Sequence, residues 1–284
     1  MANSDFLKIF KSLTYRYSPW EVWADFVSMA ACAISNRVDR RDEVWSAREE
    51  RYMTTINKYS EEERKQFPEL FAETVNALEA NPDQDFLGSL YMELELSNHW
   101  KGQFFTPYCV CEMMAKISMD DLRARVNEQG HITLNDPACG AGATLIAGVH
   151  EAKRALEPLK LNWQNHVAIA AQDIDPVTAM MCYIQLSLLG APGYIKVGNT
   201  ISDPMSENDD KTQYWYTPMW FSDVWRTRRL VGRMRKLFEG TEGMRVEDIP
   251  HVIEVVEPAT AAEDTEIPQA PPPLPDRFEQ ISMF

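Results

Sequence analysis

Residues 134–146, LNDPACGAGATLI, combine residue types and spacing that could bind a nucleotide-like ligand. The pattern predicts a strand that ends at Asp136, followed by a tight turn and a helix. Ala138, Gly140 and Gly142 would let the backbone approach a ligand closely, with the amino terminus of the helix behind them. α/β folds use this arrangement to hold such ligands at the carboxyl ends of their strands. A Gly-rich turn alone is weak evidence for a ligand site, so the prediction depends on the motifs that accompany it.

Two later segments place polar side chains at the ends of further predicted strands. Asp173, in QDIDP, could accept hydrogen bonds from a ribose diol, as strand-end acids do in dinucleotide-binding folds. Asn199, in VGNT, offers an amide donor and an acceptor to an adenine edge. The carboxylate of Asp136 would suit a cationic group such as the methionine ammonium of S-adenosylmethionine. The three strand ends together predict one ligand site.

The elements that would position these residues fall into two parts. Residues 1 to about 98 are predicted to be all-helical: SPWE at Ser18 and SEEE at Ser60 each begin a helix, and the second helix is expected to end near Pro68. From residue 102 to 257 strands and helices alternate, which predicts a parallel sheet with helices on both faces. The predicted strands are residues 131–136, 167–174, 194–199 and 212–217, and the helices are 142–156, 176–189 and 222–238.

Composition excludes several classes of protein. No apolar run is long enough to span a membrane, and the first residues lack a secretory pattern. The five cysteines have no paired CxxC spacing and the histidines are scattered, so we expect reduced thiols, a cytoplasmic location and no metal. Cys109 and Cys111 could be a ligand pair, but a half-buried helical pair is the simpler interpretation.

The net charge of −15 argues against a uniformly basic nucleic-acid binder, but the charge is unevenly distributed. Residues 241–284 contain ten acidic residues and two arginines, whereas residues 221–238 contain six basic residues and one acid. A helix in the second segment would be suited to DNA phosphates, and a solvated basic helix is an equal alternative. Its side chains nearest to one face are Arg226, Arg229, Arg233 and Lys236.

In order and spacing these motifs resemble the amino-methylating DNA methyltransferases, most closely the adenine-N6 enzymes related to modification subunits of type I restriction systems. The shared features are the FTP element of residues 102–107, the DPACGAG loop, with Ala141 where serine is common, and the acid after the second strand. The resemblance is strong over residues 85–200. It implies an α/β fold: a Rossmann-like class I S-adenosylmethionine-dependent methyltransferase domain, residues 99–256, preceded by an all-helical domain, residues 1–98.

The same resemblance implies how S-adenosylmethionine is held. The methionine end would contact the FTP element and the glycine loop, and the ribose and adenine would lie by the second and third strand ends. The residues so assigned are Phe105, Thr106 and Pro107 on the methionine end, Asp136, Ala138, Gly140 and Gly142 in the loop, Asp173 and Ile174 on the ribose and adenine, and Asn199 on the adenine amine.

The catalytic element departs from the family pattern. The family has an Asn/Asp-Pro-Pro-aromatic tetrapeptide after the fourth strand, whose aromatic ring stacks on a flipped base. The nearest match is TPMW, which begins 18 residues after Asn199. Thr217 keeps an oxygen acceptor, Pro218 keeps one proline and Trp220 keeps the ring, so we expect these three to form the catalytic turn for methylation of adenine N6 in DNA. The alternatives are methylation of another amine, or a catalytically degenerate S-adenosylmethionine-binding regulator or scaffold recruited to DNA or to the sliding clamp.

The carboxyl-terminal end of the sequence suggests recruitment. Residues 257–279 are rich in proline and acidic residues and are predicted to be a disordered linker. Residues 280–284, QISMF, resemble peptides that bind the bacterial sliding clamp, and the linker would raise their local concentration. Gln280 would be the polar anchor, and Ile281, Met283 and Phe284 would fill an apolar groove. About 37 residues separate Trp220 from the linker, so a specificity or partner subunit would be needed for further DNA contacts.

Overall fold

The computed structural model describes residues 2–96 and 105–239. The helices there are α1 (Ala2–Leu13), α2 (Pro19–Val38), α3 (Asp42–Ile56), α4 (Glu61–Ala80), α5 (Phe86–Glu93), α6 (Tyr108–Ser118), α7 (Leu122–Gln129), α8 (Ala143–Leu156), α9 (Pro176–Leu188) and α10 (Asp223–Glu239). The strands are β1 (Ile132–Asp136), β2 (Val167–Asp173), β3 (Gly193–Val197) and β4 (Tyr214–Tyr216). Within this part of the chain no helix has the length and apolar content to cross a bilayer.

The chain divides into two compact units, residues 1–226 and 227–284. The predicted domain boundary at residues 98–99, the linker at 257–279 and the peptide at 280–284 lie outside the described residues, so this division stays a prediction.

Two helices of residues 2–96, α2 and α4, begin where the sequence predicts. The Ser18 and Ser60 hydroxyls each accept a hydrogen bond from the backbone N–H three residues ahead, which satisfies donors at the first turn of α2 and α4. The predicted end of a helix near Pro68 is wrong, because α4 continues through it. Pro68 removes one backbone donor, whereas the buried Phe67 and Leu70 beside it keep α4 packed on the core.

The sheet has the order β1-β2-β3-β4. β1, β2 and β3 are parallel, with Ile132 opposite Val167 and Ile169 opposite Gly193. β4 runs antiparallel to β3, so the predicted all-parallel sheet is wrong for this strand. Parallel neighbours need a crossover connection, usually a helix. Residues 198–213 contain no α-helix that could form such a crossover, only the short 3-10 turn Lys211–Gln213.

One face of the sheet and the amino-terminal helices share a core. Ile169 and Ile195 belong to the same hydrophobic cluster as Trp23 of α2 and Phe86 of α5. Ile132 joins a neighbouring cluster with residues of α7 and α8. α2 also packs along α9. Burial of apolar side chains in this shared core therefore holds the helices of residues 2–96 against the sheet and α9.

Two arginines attach α2 and α3 to β4. Arg48, 4% exposed, forms an ion pair with Asp39, donates to the Tyr214 carbonyl oxygen at 2.9 Å and lies 3.8 Å from the centre of the Trp215 ring. Arg41 also pairs with Asp39 and donates to the same carbonyl. Burial alone would raise the pKa of Asp39, but its hydrogen bonds and charge interactions with the two arginines lower it. The cluster thus holds β4 at the edge of the sheet.

The opposite face of β3 carries a buried cation. Lys196, 2% exposed, forms ion pairs with Asp203 at 2.8 Å and Asp209 at 2.9 Å, both in the β3–β4 connection. Burial would lower the pKa of Lys196, but the hydrogen bonds to these carboxylates raise it. The two ion pairs therefore anchor the β3–β4 connection on the sheet.

Candidate functional site

The fold brings the three predicted strand ends to one edge of the sheet. Asp136 ends β1, Asp173 ends β2 and Asn199 follows β3 by two residues. The backbone N–H of Gly140 donates to Asp173 Oδ2 at 2.7 Å, and the Thr200 hydroxyl donates to the carbonyl of the residue after Asp136 at 2.5 Å. Hydrogen bonds thus connect the β1–α8 loop to the ends of both other strands.

Two glycines in this loop are required by their backbone conformation. Gly140 has φ +53° and Gly142 has φ +95°, both in the left-handed region that glycine adopts most easily. A Cβ at Gly140 would lie 3.2 Å from Cε1 of Phe105, and one at Gly142 would lie 2.8 Å from Sγ of Cys182. The loop therefore packs closely against the FTP element on one side and α9 on the other.

Asp136 shapes the first turn of the loop. Its Oδ1 accepts from the Ala138 backbone N–H at 3.1 Å, and its Oδ2 accepts from the hydroxyl of Thr144 at 2.8 Å. Two of the four acceptor positions of the carboxylate are used in this way, which leaves two for a cationic ligand group. Thr144 was not identified from the sequence, although its place in the first turn of α8 was a usable signal.

Asp173 is more constrained than the sequence suggests. Besides the Gly140 bond, its Oδ1 accepts from the Asp175 backbone N–H at 2.9 Å and from the Thr178 hydroxyl at 3.1 Å. Three of four acceptor positions are occupied, so one remains for a ribose hydroxyl. Ile174 next to it is 66% exposed, which leaves an apolar surface at the strand end where a planar ring could pack.

Asn199 lies two residues after the end of β3, and its side-chain acceptor is already used. Its Oδ1 accepts from the backbone N–H groups of Ile201 at 2.9 Å and Ser202 at 3.3 Å. An adenine amine is a donor, so the predicted contact with that amine lacks an acceptor. The side-chain NH2 of Asn199 can instead donate, which suits a ring nitrogen of adenine.

The FTP element contacts the glycine loop through Phe105. The half-buried Phe105 ring lies 5.6 Å from the ring of Tyr91 in α5, and Pro107 caps α6. Thr106 and Pro107 are exposed. Residues 102–104 lie outside the described part of the chain.

A buried polar network supports the loop from behind. Gln185 of α9, which is fully buried, donates through Nε2 to the Ala141 carbonyl at 2.9 Å and to Asp85 Oδ1 at 2.8 Å, and its Oε1 accepts from the Leu87 backbone N–H at 3.0 Å. Burial raises the pKa of Asp85, although hydrogen bonds from Gln185 and Gly88 oppose the shift. The sequence signal was a single glutamine in an otherwise apolar helical run.

The expected catalytic turn lies at the amino-terminal end of β3, on the opposite side of the sheet from the carboxyl ends that carry the predicted ligand site. Thr217 has 0% exposure, its Oγ1 donates to the Ala191 carbonyl at 2.6 Å and accepts from the Gly193 backbone N–H at 3.0 Å. Gly193 begins β3, whereas the predicted ligand-site residues lie at or just after the carboxyl ends of the strands. Because β4 is antiparallel, its last residue is carried away from that site, and the hydroxyl of Thr217 is committed to holding β4.

The other two residues of the expected turn are also engaged structurally. Pro218 begins the 3-10 helix Pro218–Phe221. The Trp220 ring stacks on Tyr216, with centres 6.0 Å apart at 12°, and on Trp225, at 6.1 Å and 18°. The assignment of Thr217, Pro218 and Trp220 as a catalytic turn beside the cofactor residues is therefore corrected: the structure separates the two sets.

The remaining site predictions are only partly visible. α10 forms over the predicted segment, with Arg226 and Arg233 exposed and Arg229 half-buried, while the side chain of Lys236 and all of Gln280, Ile281, Met283 and Phe284 lie outside the described residues. All five cysteines are free thiols, Cys111 buried and Cys109 exposed. The described residues contain no group of three or more His, Cys, Asp or Glu side chains placed to hold a metal.

Fold and site together define an α/β protein with a glycine-containing loop at the carboxyl ends of three parallel strands, where such folds hold their ligands. The family model of the N-6 DNA methylases matches residues 83–261, more than half of the chain, and the protein belongs to this family. It has no significant match among curated proteins or solved structures.

Proposed function

We propose that the carboxyl edge of the sheet binds S-adenosylmethionine and that the protein acts in methylation of adenine N6 in DNA. The observation that supports this best is the junction at Gly140, whose N–H bonds Asp173 while the Phe105 ring covers its α-carbon. Three motifs distant in sequence meet there. This proposal includes a Rossmann-like class I methyltransferase domain and a cytoplasmic location.

The residues at this edge fit the cofactor. The loop gives close backbone approach, and Ile174 offers an exposed apolar surface. Asp136 would bind the ammonium group, the free acceptor position of Asp173 a ribose hydroxyl, and the Asn199 amide a ring nitrogen of adenine. When bound, S-adenosylmethionine would supply a methyl group on a sulfonium, and these residues would hold it in position.

DNA contacts and recruitment belong to the same proposal. Arginines of α10 would bind phosphates, the QISMF peptide would bind the sliding clamp, and a partner subunit in a restriction-modification setting would complete target recognition. Each depends on charge or motif in the sequence.

A second candidate is an S-adenosylmethionine-binding regulator or scaffold without catalysis. It is favoured by the position of Thr217, which is buried at the opposite edge and uses its hydroxyl within the fold. Under either candidate, residues 217–220 do not contribute to the proposed cofactor site.

Cofactor binding can be tested by equilibrium dialysis of the full chain with labelled S-adenosylmethionine. Ile174→Ser changes an exposed side chain, so the fold should be retained while affinity falls about tenfold, or about 1.4 kcal/mol. Asp136→Ala should weaken binding at least as much, and Asp120→Ala, which alters an exposed acid before α7, should not. Absence of binding by the folded wild-type chain would refute the proposal.

The two candidates are separated by methyl incorporation into unmethylated DNA, with and without sliding clamp. N6-methyladenine in the digested DNA, lost in Asp136→Ala, supports the enzyme. Cofactor binding without incorporation supports the regulator.

A further inference from the structure

A cleft lies at the amino-terminal edge of the sheet, away from the strand ends that carry the loop. Its volume is about 530 Å³, in the usual range for small-molecule sites. The second half of α8 and the connection from α8 to β2 form most of its wall. Lining residues include His150, Lys153, Glu157, Lys160, Trp163 and Leu189.

The cleft carries an excess of positive charge in an acidic protein. Lys153 and Lys160 are exposed, and neither forms an ion pair within the described part of the chain, whereas the adjacent Arg154 pairs with Asp83 and Glu151. Among the lining residues Glu157 is the acid that opposes them. The balance of two cations and one carboxylate favours an anion of low charge, such as a phosphodiester or a monophosphate, over a triphosphate.

Two ring side chains give the cleft a surface for a planar group. Trp163 is half-buried in the wall, and an aromatic side chain in that position offers a face on which a base can stack. His150 Nε2 lies 2.8 Å from the Pro82 carbonyl, which makes Nε2 the protonated nitrogen and leaves Nδ1 as an acceptor. Burial lowers the pKa of His150, so the imidazole is neutral near pH 7.

Lys160 stands where a lysine is conformationally disfavoured. Its φ is +57°, and its N–H bonds the Glu157 carbonyl at 2.9 Å to close the 3-10 helix Glu157–Leu159. The left-handed conformation is unfavourable for a non-glycine residue, and glycine would hold this turn with less strain. Strained residues cluster at functional sites, which directs attention to the lysine side chain.

We propose that this cleft binds a nucleotide, with its base stacked on Trp163 and its phosphate between Lys153 and Lys160. The site is additional to the S-adenosylmethionine site of the proposed function. A free nucleoside monophosphate and a nucleotide unit of a DNA strand share this chemistry.

The test uses calorimetric titration of the full chain with AMP and, separately, with the oligonucleotide dT8, both with S-adenosylhomocysteine present to fill the strand-end site. The wild-type chain should bind at least one probe. Lys160→Gly should weaken that binding about tenfold while leaving the free energy of unfolding unchanged or higher, because strain is relieved. Lys8→Ala, an equal change of charge on α1, should have no effect. Binding of dT8 assigns the source to DNA, and binding of AMP alone assigns it to a free nucleotide.

Photolabelling locates the bound nucleotide. 8-Azido-AMP should label a peptide within residues 149–166, and Trp163→Leu should reduce labelling. The proposal is overturned if the wild-type chain binds neither probe, if Lys160→Gly binds as well as wild type, or if the label lies only at the strand-end loop.

Discussion

Gln185→Met removes the network behind the glycine loop while nearly preserving side-chain volume. Three hydrogen bonds are lost: two donated by Gln185, to Ala141 and to Asp85, and one accepted from Leu87. Each buried polar group left without a partner costs about 1–3 kcal/mol, and the added apolar burial of methionine offsets part of this. We therefore expect a loss of about 3–5 kcal/mol in the free energy of unfolding.

The assays are urea denaturation and thermal denaturation, both followed by circular dichroism, with Gln129→Met as the control because Gln129 is exposed at the end of α7. The thermal midpoint of Gln185→Met should fall by roughly 6–20 °C, since each kcal/mol shifts a unit of this size by about 2–4 °C. The released Ala141 carbonyl should also weaken S-adenosylmethionine binding in the fraction that remains folded.

The effect should depend on pH through Asp85. Its pKa is raised above 3.8 in the fold, so the fold favours the protonated acid. The resulting penalty is absent below pH 3.8 and grows as pH rises through the folded pKa. Removing a donor from the carboxylate raises this pKa further, and the deficit of Gln185→Met should be larger at pH 7 than at pH 4. A loss below about 1 kcal/mol at pH 7, equal to the control, would refute the reasoning.

Three further predictions concern glycine, the misplaced turn and the arginine cluster. Gly193→Ala should prevent stable folding because its Cβ would lie 2.3 Å from the Ile169 carbonyl oxygen. Gly232→Ala should instead stabilise α10 by about 0.5–1 kcal/mol, because its Cβ would have no neighbour within 4 Å. Denaturation curves of the two variants test both expectations. Thr217→Val should lower the free energy of unfolding by about 1–3 kcal/mol. Binding of labelled cofactor and any methyl incorporation per folded molecule should stay unchanged. A selective loss of incorporation would support Thr217 as a catalytic residue after all. Asp39→Asn should cost about 3–5 kcal/mol at pH 7 because Arg48 stays buried without its carboxylate. In the wild-type protein the contribution of Asp39, whose pKa is lowered, should be present above pH 3.8 and lost as pH falls further, which acid denaturation of both proteins can check.

Local signals in the sequence determined most elements and the place of the glycine loop. The order strand, glycine turn and helix around Asp136 needs only neighbouring residues, and the alternation of predicted strands and helices located β1 to β4 and α8 to α10. The family resemblance rested on the same short motifs and is confirmed by the family match. These features could be predicted because each depends on contacts between residues close in sequence.

The direction of β4, and with it the position of Thr217, was decided only by tertiary structure. The sequence of a three-residue strand does not indicate its direction. The groups that hold β4 are distant in sequence: the backbone of β3, and the side chains of Arg48 in α3 and of Arg41 just before α3. The support of Ala141 by Gln185 likewise depends on three-dimensional placement, whereas the use of the Asn199 acceptor by the N–H groups two and three residues ahead is a local turn. The sequence therefore determined which residues could form a cofactor loop. Long-range packing decided that TPMW lies near the start of β3 and not near that loop, because the direction of β4 depends on which distant groups satisfy its backbone and side-chain hydrogen bonds.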